Sequence, residues 1–464
     1  MNDRLKDVLV RVPPGCESAK TYVLGVVFRD FFGLRYALTT NSGCDYEICF
    51  GDRTVVVSDI FLSKPENLNP DLSKVPQPPF QYFHASDDLD CCIRKGDSLP
   101  ILFGVPEVQI EADMAMCRFD IFGTIFFFLS RFEEIAGHDR DSHDRFPAVA
   151  SIAYRSNFLD RPIVDEYVEL LWTLIQHVAP RATRVRRVAQ VKVTCDVDQP
   201  FDDTMSSISG FSRAVTGDLV RRRSIRIARH RVAGFLGHMK GNFLADENYT
   251  FDWYMNVCEQ CGRSATFFFI PDRSAGRIDG RYRLSNRSIL NLIRLISHRG
   301  HGIGAHGSYN SYRDLDRIVA ERGKLIQACR AAGVESQIVG NRQHYLRWDA
   351  ARTPDYLNEA GYLYDSSGGF ADAPGFRYGT SYPITMWSWR SLSALNLKQQ
   401  PLVLMETTIK APQYSQSARV DDPLQSIQGL KARAMKYGGD FTFLWHNSNL
   451  KTAEDRAVFQ ELLR

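Results

Sequence analysis

The sequence predicts an α/β protein in which a (β/α) barrel follows a smaller α+β domain. The chain of 464 residues is longer than one compact domain usually needs. Its 44% hydrophobic and 24% charged residues are typical of a folded globular protein and exclude a disordered or fibrous one. Strand-like and helix-like segments alternate regularly only after about residue 186, which is the pattern of parallel βα units.

The charges also divide the chain near residue 185. Residues 1–185 contain 19 Lys and Arg against 27 Asp and Glu, a balance of −8. Residues 186–464 contain 38 against 27, a balance of +11. We therefore predict a domain boundary near residue 185, with an N-terminal domain at 1–185 and a second domain at 186–464. The positive half would attract phosphates, nucleic acid or an acidic membrane surface.

The first half is expected to be an α+β domain with a structural or substrate-orienting role. It has no glycine-rich phosphate loop and no cluster of His and Cys ligands. Apolar periodicity predicts its elements. The expected β-rich runs are Thr21–Arg29, Tyr46–Phe50 and Thr54–Ser58, and the expected helices are Asp120–Ile135 and Val164–His177.

In the second half, polar residues follow several of the expected strands. Parallel strands in βα units bring their carboxyl ends to one face, where the active sites of (β/α) barrels lie. The expected strands are Val188–Thr194, Ser264–Ile270, Gly302–Ala305, Ser336–Gly340, Tyr362–Asp365, Leu402–Thr408 and Phe441–Trp445. The expected helices are Trp253–Gln260, Ser288–His298, Asp314–Ala332 and Thr353–Ala360.

A basic insertion at about 203–250 interrupts this alternation. Its segment Leu219–Ala245 contains six Arg, one Lys and no acidic residue, with apolar residues between them. One interpretation is a lid or an arm that lies on an anionic membrane surface. The other is a solvated insertion that packs on the rim of the barrel, and the sequence leaves both open.

The sequence shows no membrane helix, no secretory signal and no regular Cys spacing, and these features together favour a cytoplasmic protein. The longest apolar run, Ile121–Leu129, is less than half of the roughly 20 residues that a membrane helix needs. No secretory signal is visible at the N-terminus, and the ten Cys show no framework of regular spacings. Cys258 and Cys261 form a C-x-x-C pair without a second pair of zinc ligands, so a structural role is expected for them.

Carboxylates and histidines at the strand ends indicate metal-assisted chemistry. Asp196 and Asp198 lie two residues apart, so both can face one site, where a cation would offset their repulsion. His306 ends another strand, and Asn310 lies about one helical turn further on. His and Asp together are suitable ligands for zinc or another divalent first-row metal. His446, after the last strand, is a candidate proton donor.

In their order along the chain, these motifs resemble those of the polysaccharide deacetylases, also called the NodB-homology or carbohydrate esterase 4 family. The resemblance spans roughly residues 186–450 and implies an irregular (β/α) barrel, often of seven strands. It rests on T-C-D-V-D, S-A-T-F-F-F-I, H-G-S-Y-N, G-N-R-Q-H-Y, Y-D-S-S and L-W-H-N-S. In the first half, D-I-F-G-T-I-F-F-F-L-S-R-F-E-E, D-S-H-D-R-F and R-P-I-V-D-E-Y resemble an uncharacterised domain that precedes a bacterial, cell-surface-glycan subgroup of these enzymes.

The resemblance implies a role for each candidate residue. Asp196 would be the catalytic base, Arg342 would orient it, and His446 would be the general acid. Asp365 would be a supporting carboxylate, and backbone N–H groups near Tyr345 would stabilise an oxyanion. The implied metal ligands are Asp198, His306 and Asn310, and the implied substrate contacts are His344, Tyr345 and Trp445.

Two departures from the family pattern affect the metal site. Val197 separates the two aspartates, which are adjacent in most relatives. Asn310 stands where the family has the second His of H-x-x-x-H. The metal site could therefore be weaker, use water or Asn310, or be lost, with His301 and His344 as substitutes. The expected metal is Zn, with Co, Ni or Mn as alternatives.

The function implied by the resemblance is a metal-dependent hydrolase of bacterial surface-polysaccharide biosynthesis. It would remove an acetyl group, N-acetyl before O-acetyl, from a nucleotide-linked, lipid-linked or polymeric sugar. Residues 219–245 could then hold the protein at the periphery of the inner membrane. The alternative is a catalytically degenerate barrel that binds glycan or scaffolds a biosynthetic complex. Specific nucleic-acid binding is disfavoured because the basic segment lacks regularly interleaved aromatic residues.

Overall fold

The computed structural model describes residues 8–84, 98–202, 208–239, 242–243, 245–335, 337–410 and 423–464. Residues 1–7 of the predicted N-terminal domain lie outside this part of the chain. Residues 203–207, 240–241 and 244 of the predicted insertion, and residue 336 at the start of one predicted strand, also lie outside it.

The N-terminal region is built on a six-stranded sheet with the order β2-β1-β3-β4-β8-β7. The strands of this region are β1 (Val8–Val12), β2 (Tyr36–Thr40), β3 (Asp45–Phe50), β4 (Arg53–Ser58), β5 (Gln81–His84), β6 (Ser98–Ile101), β7 (Gly104–Ile110) and β8 (Met114–Phe119). β5 and β6 form a separate antiparallel pair. The helices are α1 (Glu17–Leu24), a π-helix at Gly25–Phe31, α2 (Ile121–Leu129), α3 (Phe132–Ala136), α4 (Ile152–Arg155) and α5 (Ile163–Val178).

Two predictions in this region are wrong. The segment Thr21–Arg29 is helical, because a continuous apolar run does not distinguish a buried strand from a buried helix. The single helix expected at Asp120–Ile135 is divided into α2 and α3, since Arg131 between them has a left-handed backbone with φ 55°. The strands expected near residues 46–50 and 54–58 agree with β3 and β4.

The C-terminal region is a curled, mainly parallel sheet of nine strands in the order β14-β15-β13-β12-β11-β10-β9-β17-β16. Only the β14–β15 pair is antiparallel. The strands are β9 (Val191–Val197), β10 (Ala265–Phe269), β11 (Gly302–Gly307), β12 (Gly340–Gln343), β13 (Tyr364–Asp365), β14 (Ile384–Ser388), β15 (Ser393–Gln399), β16 (Leu404–Met405) and β17 (Phe441–Leu444).

Helices alternate with these strands, as the sequence predicts for a mixed α/β fold. In α9 the buried Ile289, Leu292, Ile293 and Ile296 share one face, which is the spacing of a helix that packs on a sheet. The helices are α6 (Ile208–Val220), α7 (Ile225–Met239), α8 (Phe251–Gln260), α9 (Arg287–His298), α10 (Leu315–Ala331), α11 (Thr353–Glu359), α12 (Glu406–Lys410), α13 (Pro423–Lys436) and α14 (Ala453–Leu463).

Two features of the C-terminal sheet differ from the prediction. Among the described residues no pairing joins its edge strands β14 and β16, so the sheet is a half-barrel rather than a closed barrel. The strand expected at Leu402–Thr408 consists only of β16, because the chain turns into α12 at Glu406.

One hydrophobic core runs through both regions. The phenol of Tyr22 donates a hydrogen bond to the carbonyl oxygen of Thr385, and the indole of Trp389 donates to that of Ser130. The two predicted domains therefore share a core, and the boundary near residue 185 stays a prediction. Within the described ranges, no helix has both the length and the apolar character needed to cross a membrane.

Candidate functional site

The carboxyl ends of neighbouring parallel strands bring acidic and imidazole side chains together. Asp196 lies in β9 and Asp198 directly follows it, while His306 lies in β11. His344 directly follows β12, and His446 comes two residues after β17. The strands concerned lie side by side in the order β12-β11-β10-β9-β17, so these residues share one end of the half-barrel.

Asp198, His306 and His344 form a cluster whose donor atoms all lie within 4.8 Å of one another. Nε2 of His306 is 3.3 Å from Oδ1 of Asp198, and Nε2 of His344 is 3.5 Å from Oδ2 of the same carboxylate. Ligands of a tetrahedral zinc ion, each about 2.0–2.2 Å from the metal, lie about 3.3–3.5 Å apart. The spacing of this cluster therefore fits a small divalent cation.

Hydrogen bonds on the far side of each imidazole direct its Nε2 into the cluster. Nδ1 of His306 donates to the carbonyl oxygen of Arg342 at 2.9 Å, and Nδ1 of His344 lies 3.1 Å from Oδ1 of Asp279. With Nδ1 protonated, Nε2 keeps its lone pair. An outer carbonyl or carboxylate that sets the tautomer is typical of metal-bound histidines.

The electrostatics of the cluster also fit a cation. Oδ1 of Asp198 is buried and has no hydrogen-bond donor among the described residues. Burial opposes ionisation, but His344 and His306 hold the pKa of Asp198 well below its usual range. Burial would likewise lower the pKa of His344, but the carboxylates of Asp198 and Asp279 raise it to about 9. Negative charge thus dominates around the imidazole of His344, and a bound cation would take the place of its extra proton.

The side-chain amide of Asn310 is bound to neighbouring residues, which argues against its predicted role as a metal ligand. Its Nδ2 donates to the carbonyl oxygen of Ser274 at 3.1 Å, and its Oδ1 accepts from Arg347 at 3.1 Å. Both polar atoms of the amide are therefore bound within the surrounding loops. His344, which the sequence suggested as a substrate contact or as a substitute metal ligand, lies in the cluster. His301 lies just before β11, at the opposite end of that strand.

Asp196 is buried beside the cluster and is held by Arg342, as expected for an oriented base. Nη1 of Arg342 donates to Oδ1 of Asp196 at 3.1 Å and to Oγ1 of Thr194 at 2.8 Å. Its Nε and Nη2 donate to the carbonyl oxygen and the hydroxyl of Ser366. Oδ2 of Asp196 faces Nε2 of His306 at 3.5 Å. One carboxylate oxygen is thus fixed while the other points to the cluster.

Asp365 is fully buried in β13, next to the strand β12 that carries Arg342. Its two oxygens accept hydrogen bonds from the side chains of Asn341 and Gln399 and from the backbone and hydroxyl of Ser367. Asn341 directly precedes Arg342 in the chain, so Asp365 contacts the strand that carries Arg342. Its role as a supporting carboxylate stays a prediction.

His446 faces the cluster from the β17 side, with Nε2 3.6 Å from Oδ2 of Asp198. Its Nδ1 is 2.5 Å from Oε1 of Glu406, a fully buried carboxylate at the start of α12. Burial alone would lower the pKa of His446, but Glu406 raises it to about 10. The imidazole is therefore protonated at neutral pH and can donate a proton.

Of the predicted substrate contacts, Tyr345 lies at the mouth of the site and Trp445 does not. Trp445 is 1% exposed and packs against Phe459, so its assignment as a substrate contact is wrong. Tyr345 is 38% exposed and has a left-handed backbone with φ 62°, which is uncommon for a residue other than glycine. Its ring contacts those of His143 and Tyr309.

A loop of the N-terminal region completes the mouth of the site. Arg145 donates to the carbonyl oxygen of Tyr345 at 2.9 Å, and Nδ1 of His143 is 2.9 Å from the hydroxyl of Tyr309. Arg347 donates in turn to the carbonyl oxygen of His143 at 2.8 Å. In the sequence, only the motif D-S-H-D-R-F pointed to this loop. Nothing in the motif indicated that the loop would lie beside the site.

Comparisons with known proteins give a partial match and distant structural likenesses. A model of a family of unknown function, DUF7033, matches residues 8–180. Comparison with curated proteins gives no significant match. A solved structure from Mycobacterium smegmatis, assigned as a polysaccharide deacetylase, is 18% identical over 61% of this chain and 85% of its own, with a TM-score of 0.35.

Two further solved structures are similarly distant. Puue allantoinase is 14% identical over 45% of this chain and 63% of its own, with a TM-score of 0.31. A 4-alpha-glucanotransferase from Thermococcus litoralis is 14% identical over 60% of this chain and 37% of its own, with a TM-score of 0.32. Likenesses at these TM-scores carry no argument about function, which therefore rests on the geometry of the site.

Proposed function

We propose that this protein is a metal-dependent hydrolase that removes an acetyl group, N-acetyl in preference to O-acetyl, from a sugar or glycan. One observation carries the proposal. A cluster of three metal-ligand side chains has an oriented carboxylate, Asp196, on one side and a protonated imidazole, His446, on the other. Base, cation and acid on one face of a half-barrel are the parts that amide hydrolysis needs.

Asp198, His306 and His344 would hold the metal. Two imidazole nitrogens and a carboxylate suit Zn, and also Co, Ni or Mn. Three protein ligands leave a coordination position open, as in catalytic sites. The chemistry that a metal held by these residues would supply is polarisation of the acetyl carbonyl and a lower pKa for the attacking water.

The residues of the chain move the protons. Asp196, fixed by Arg342, takes a proton from water through its second carboxylate oxygen as the water oxygen bonds to the acetyl carbon. Backbone N–H groups near Tyr345 stabilise the oxyanion that forms. His446 gives its proton to the sugar nitrogen as the carbon–nitrogen bond breaks. Acetate and a free amino sugar leave.

The substrate in this proposal is a nucleotide-linked, lipid-linked or polymeric sugar of bacterial surface-polysaccharide biosynthesis. The excess of 11 positive charges in residues 186–464 suits a substrate with phosphates. A cytoplasmic location is part of the same proposal. The degenerate-barrel alternative depended on Asn310, and His344 supplies the imidazole that Asn310 lacks.

The first test concerns the metal ligands. The protein is stripped with a chelator and titrated with Zn, Co, Ni or Mn while bound metal is measured. We expect His344→Ala to weaken binding by more than about 100-fold, because it removes one of the three ligands. Asn310→Ala is the control and should bind like the wild type. Loss of metal in the Asn310 variant alone would contradict the ligand set.

The second test measures acetate release from N-acetylated sugars in free, nucleotide-linked and polymeric form. Asp196→Asn and His446→Ala should each lower kcat by about 10²–10⁴-fold, the usual contribution of a general base or acid. Asp316→Asn, an exposed carboxylate of α10, is the control and should be unaffected. Normal rates in both site variants would remove the mechanism. Glycan binding with neither metal nor acetate release would favour the degenerate barrel.

A further inference from the structure

The α6–α7 hairpin, residues 208–239, exposes apolar side chains that the proposed chemistry does not use. Eighteen large apolar residues are exposed in the described part of the chain, and a third of them lie in this hairpin. Val220 (68%) and Ile225 (69%) lie beside its turn, and Ile208 (75%) lies at its start. The six residues are Ile208, Leu219, Val220, Ile225, Val232 and Leu236. Such a concentration is typical of an interaction surface.

The same turn is strongly basic, and its five arginines are exposed. They are Arg221, Arg222, Arg223, Arg226 and Arg229. Arg222 pairs with Asp218 at 3.1 Å while 62% of its side chain stays exposed. In the described part of the chain, the other four have no acidic partner. The hairpin tip, defined as residues 219–229, thus combines exposed apolar groups with four arginines that have no acidic partner among the described residues.

Other residues hold the two helices of the hairpin together and join it to the rest of the protein. Arg231 of α7 pairs with Asp218 of α6 at 2.6 Å, and Phe211 stacks on Phe235 with ring centroids 4.2 Å apart. Arg231 also pairs with Asp202, outside the hairpin, at 2.9 Å. Asp202 lies four residues after Asp198. The base of the hairpin is therefore joined to the loop that leaves the candidate metal cluster, while its tip faces solvent.

We propose that the hairpin tip docks on an anionic lipid surface. Apolar side chains at the tip would enter the headgroup region while the arginines contact lipid phosphates. A second copy of the chain is a poorer partner, because a symmetric contact would bring the same arginines together. This inference goes beyond the proposed hydrolysis, and where that hydrolysis holds, docking favours a sugar linked to lipid.

The expected strength of docking follows from the charges. A basic residue close to an anionic bilayer strengthens binding by about fivefold, and the effect falls as salt is added. Arg221→Glu with Arg223→Glu should therefore weaken binding by more than about 25-fold. Val220→Ser with Ile225→Ser should also weaken it, since these two side chains expose the most apolar surface of the tip.

The test is co-sedimentation of the full chain with vesicles of phosphatidylcholine, with and without 30% phosphatidylglycerol, at low and high salt. The control, Arg181→Glu with Arg330→Glu, makes the same charge change at exposed sites elsewhere and should bind like the wild type. Binding to the anionic vesicles alone, lost in both tip variants, supports the proposal. Absent binding, or equal loss in control and tip variants, overturns it.

Two further measurements distinguish lipid docking from nucleic-acid binding and from self-association. Tighter binding to duplex DNA than to vesicles, or dimerisation that the tip variants abolish, would overturn lipid docking. Acetate release from a soluble substrate should be unchanged in the tip variants, whose exposed positions also leave the melting temperature unchanged. Vesicle binding without acetate release would refute the proposed hydrolysis and leave docking intact, and the reverse result would refute docking.

Discussion

At the residue scale, the imidazoles of His344 and His446 are each held by a buried carboxylate. Asp279 contacts Nδ1 of His344, and Glu406 contacts Nδ1 of His446. Burial opposes ionisation of Asp279, but His344 and the backbone N–H of Tyr309 lower its pKa to about 2. Neither carboxylate could be found from the sequence. Asp279 lies in the loop between β10 and α9, and Glu406 lies in a segment expected to be a strand.

A third buried carboxylate lies beneath the loop that carries His306. Glu321 of α10 accepts hydrogen bonds from the backbone and the hydroxyl of Ser308. Burial raises the pKa of Glu321 to about 7, and the bonds from Ser308 offset only part of that effect. Its charged form is therefore disfavoured in the folded protein, which makes stability depend on pH.

We predict that Glu321→Gln becomes more stable relative to the wild type as pH rises. Between about pH 4.5 and pH 7 the unfolded wild type has lost the proton of Glu321 while the folded protein keeps it, so its stability falls across this window. The difference in the free energy of unfolding should change by up to about 3 kcal/mol. Urea unfolding at several pH values measures it. Glu335→Gln, at an exposed position, should show no such trend, and parallel curves for the wild type and Glu321→Gln would contradict the prediction.

At the scale of the elements, Gly304 of β11 leaves the space that the ring of Phe268 in β10 occupies. A Cβ at Gly304 would overlap the ring of Phe268 in β10. The guanidinium of Arg342 lies over that same ring, 4.8 Å from its centroid. The ring of Phe268 therefore contacts both β11 and Arg342, and Arg342 in turn is hydrogen-bonded to Asp196.

Gly304→Ala is expected to lower both stability and turnover. Crowding a packed core costs about 1–3 kcal/mol, and displacement of Phe268 would move Arg342. Gly323→Ala in α10 is the matched control, because a Cβ there meets no atom and alanine favours a helix by about 0.5–1 kcal/mol. Chemical denaturation and acetate release test both variants. An unchanged unfolding midpoint in Gly304→Ala would show that Phe268 adapts without strain.

Most βα elements of the second half could be predicted because each repeats a local pattern of apolar and polar residues. The wrong predictions fall where the order of apolar and polar residues fits more than one secondary structure. The apolar run Thr21–Arg29 suits a strand or a buried helix, and its helical state depends on the core around it. The β14–β15 hairpin at the sheet edge was not expected at all.

At the scale of the whole molecule, a buried ionic network joins the N-terminal and C-terminal regions. Glu134 of α3 pairs with Arg377 at 2.7 Å and with Arg131 at 2.8 Å, and all three side chains are buried. Burial would raise the pKa of Glu134, but Arg377 and Arg131 lower it to about 2. The carboxylate is thus charged whenever the protein is folded near neutral pH.

Glu134→Gln should destabilise the whole chain, because it leaves the buried guanidinium of Arg377 without its carboxylate and removes one of the two carboxylates that pair with Arg131. Removing one partner of a buried ion pair costs about 3–5 kcal/mol. Glu359→Gln, which breaks an exposed pair with Arg390, should cost less than about 1 kcal/mol. Since one core spans both regions, we expect a single unfolding transition in calorimetry. Two separate transitions, with only the first shifted in Glu134→Gln, would contradict a shared core.

The order of apolar and polar residues along the chain was enough to predict a mixed α/β fold. It was also enough to identify Asp196, Asp198, His306 and His446 as candidate catalytic or metal-binding residues. Tertiary structure alone decided that His344 rather than Asn310 joins the cluster. It also decided that Trp445 is core and that the N-terminal region contributes to the mouth of the site. The physical reason is that a ligand set depends on distances between neighbouring strands and on competing hydrogen bonds, neither of which is encoded in the spacing of residues along one strand.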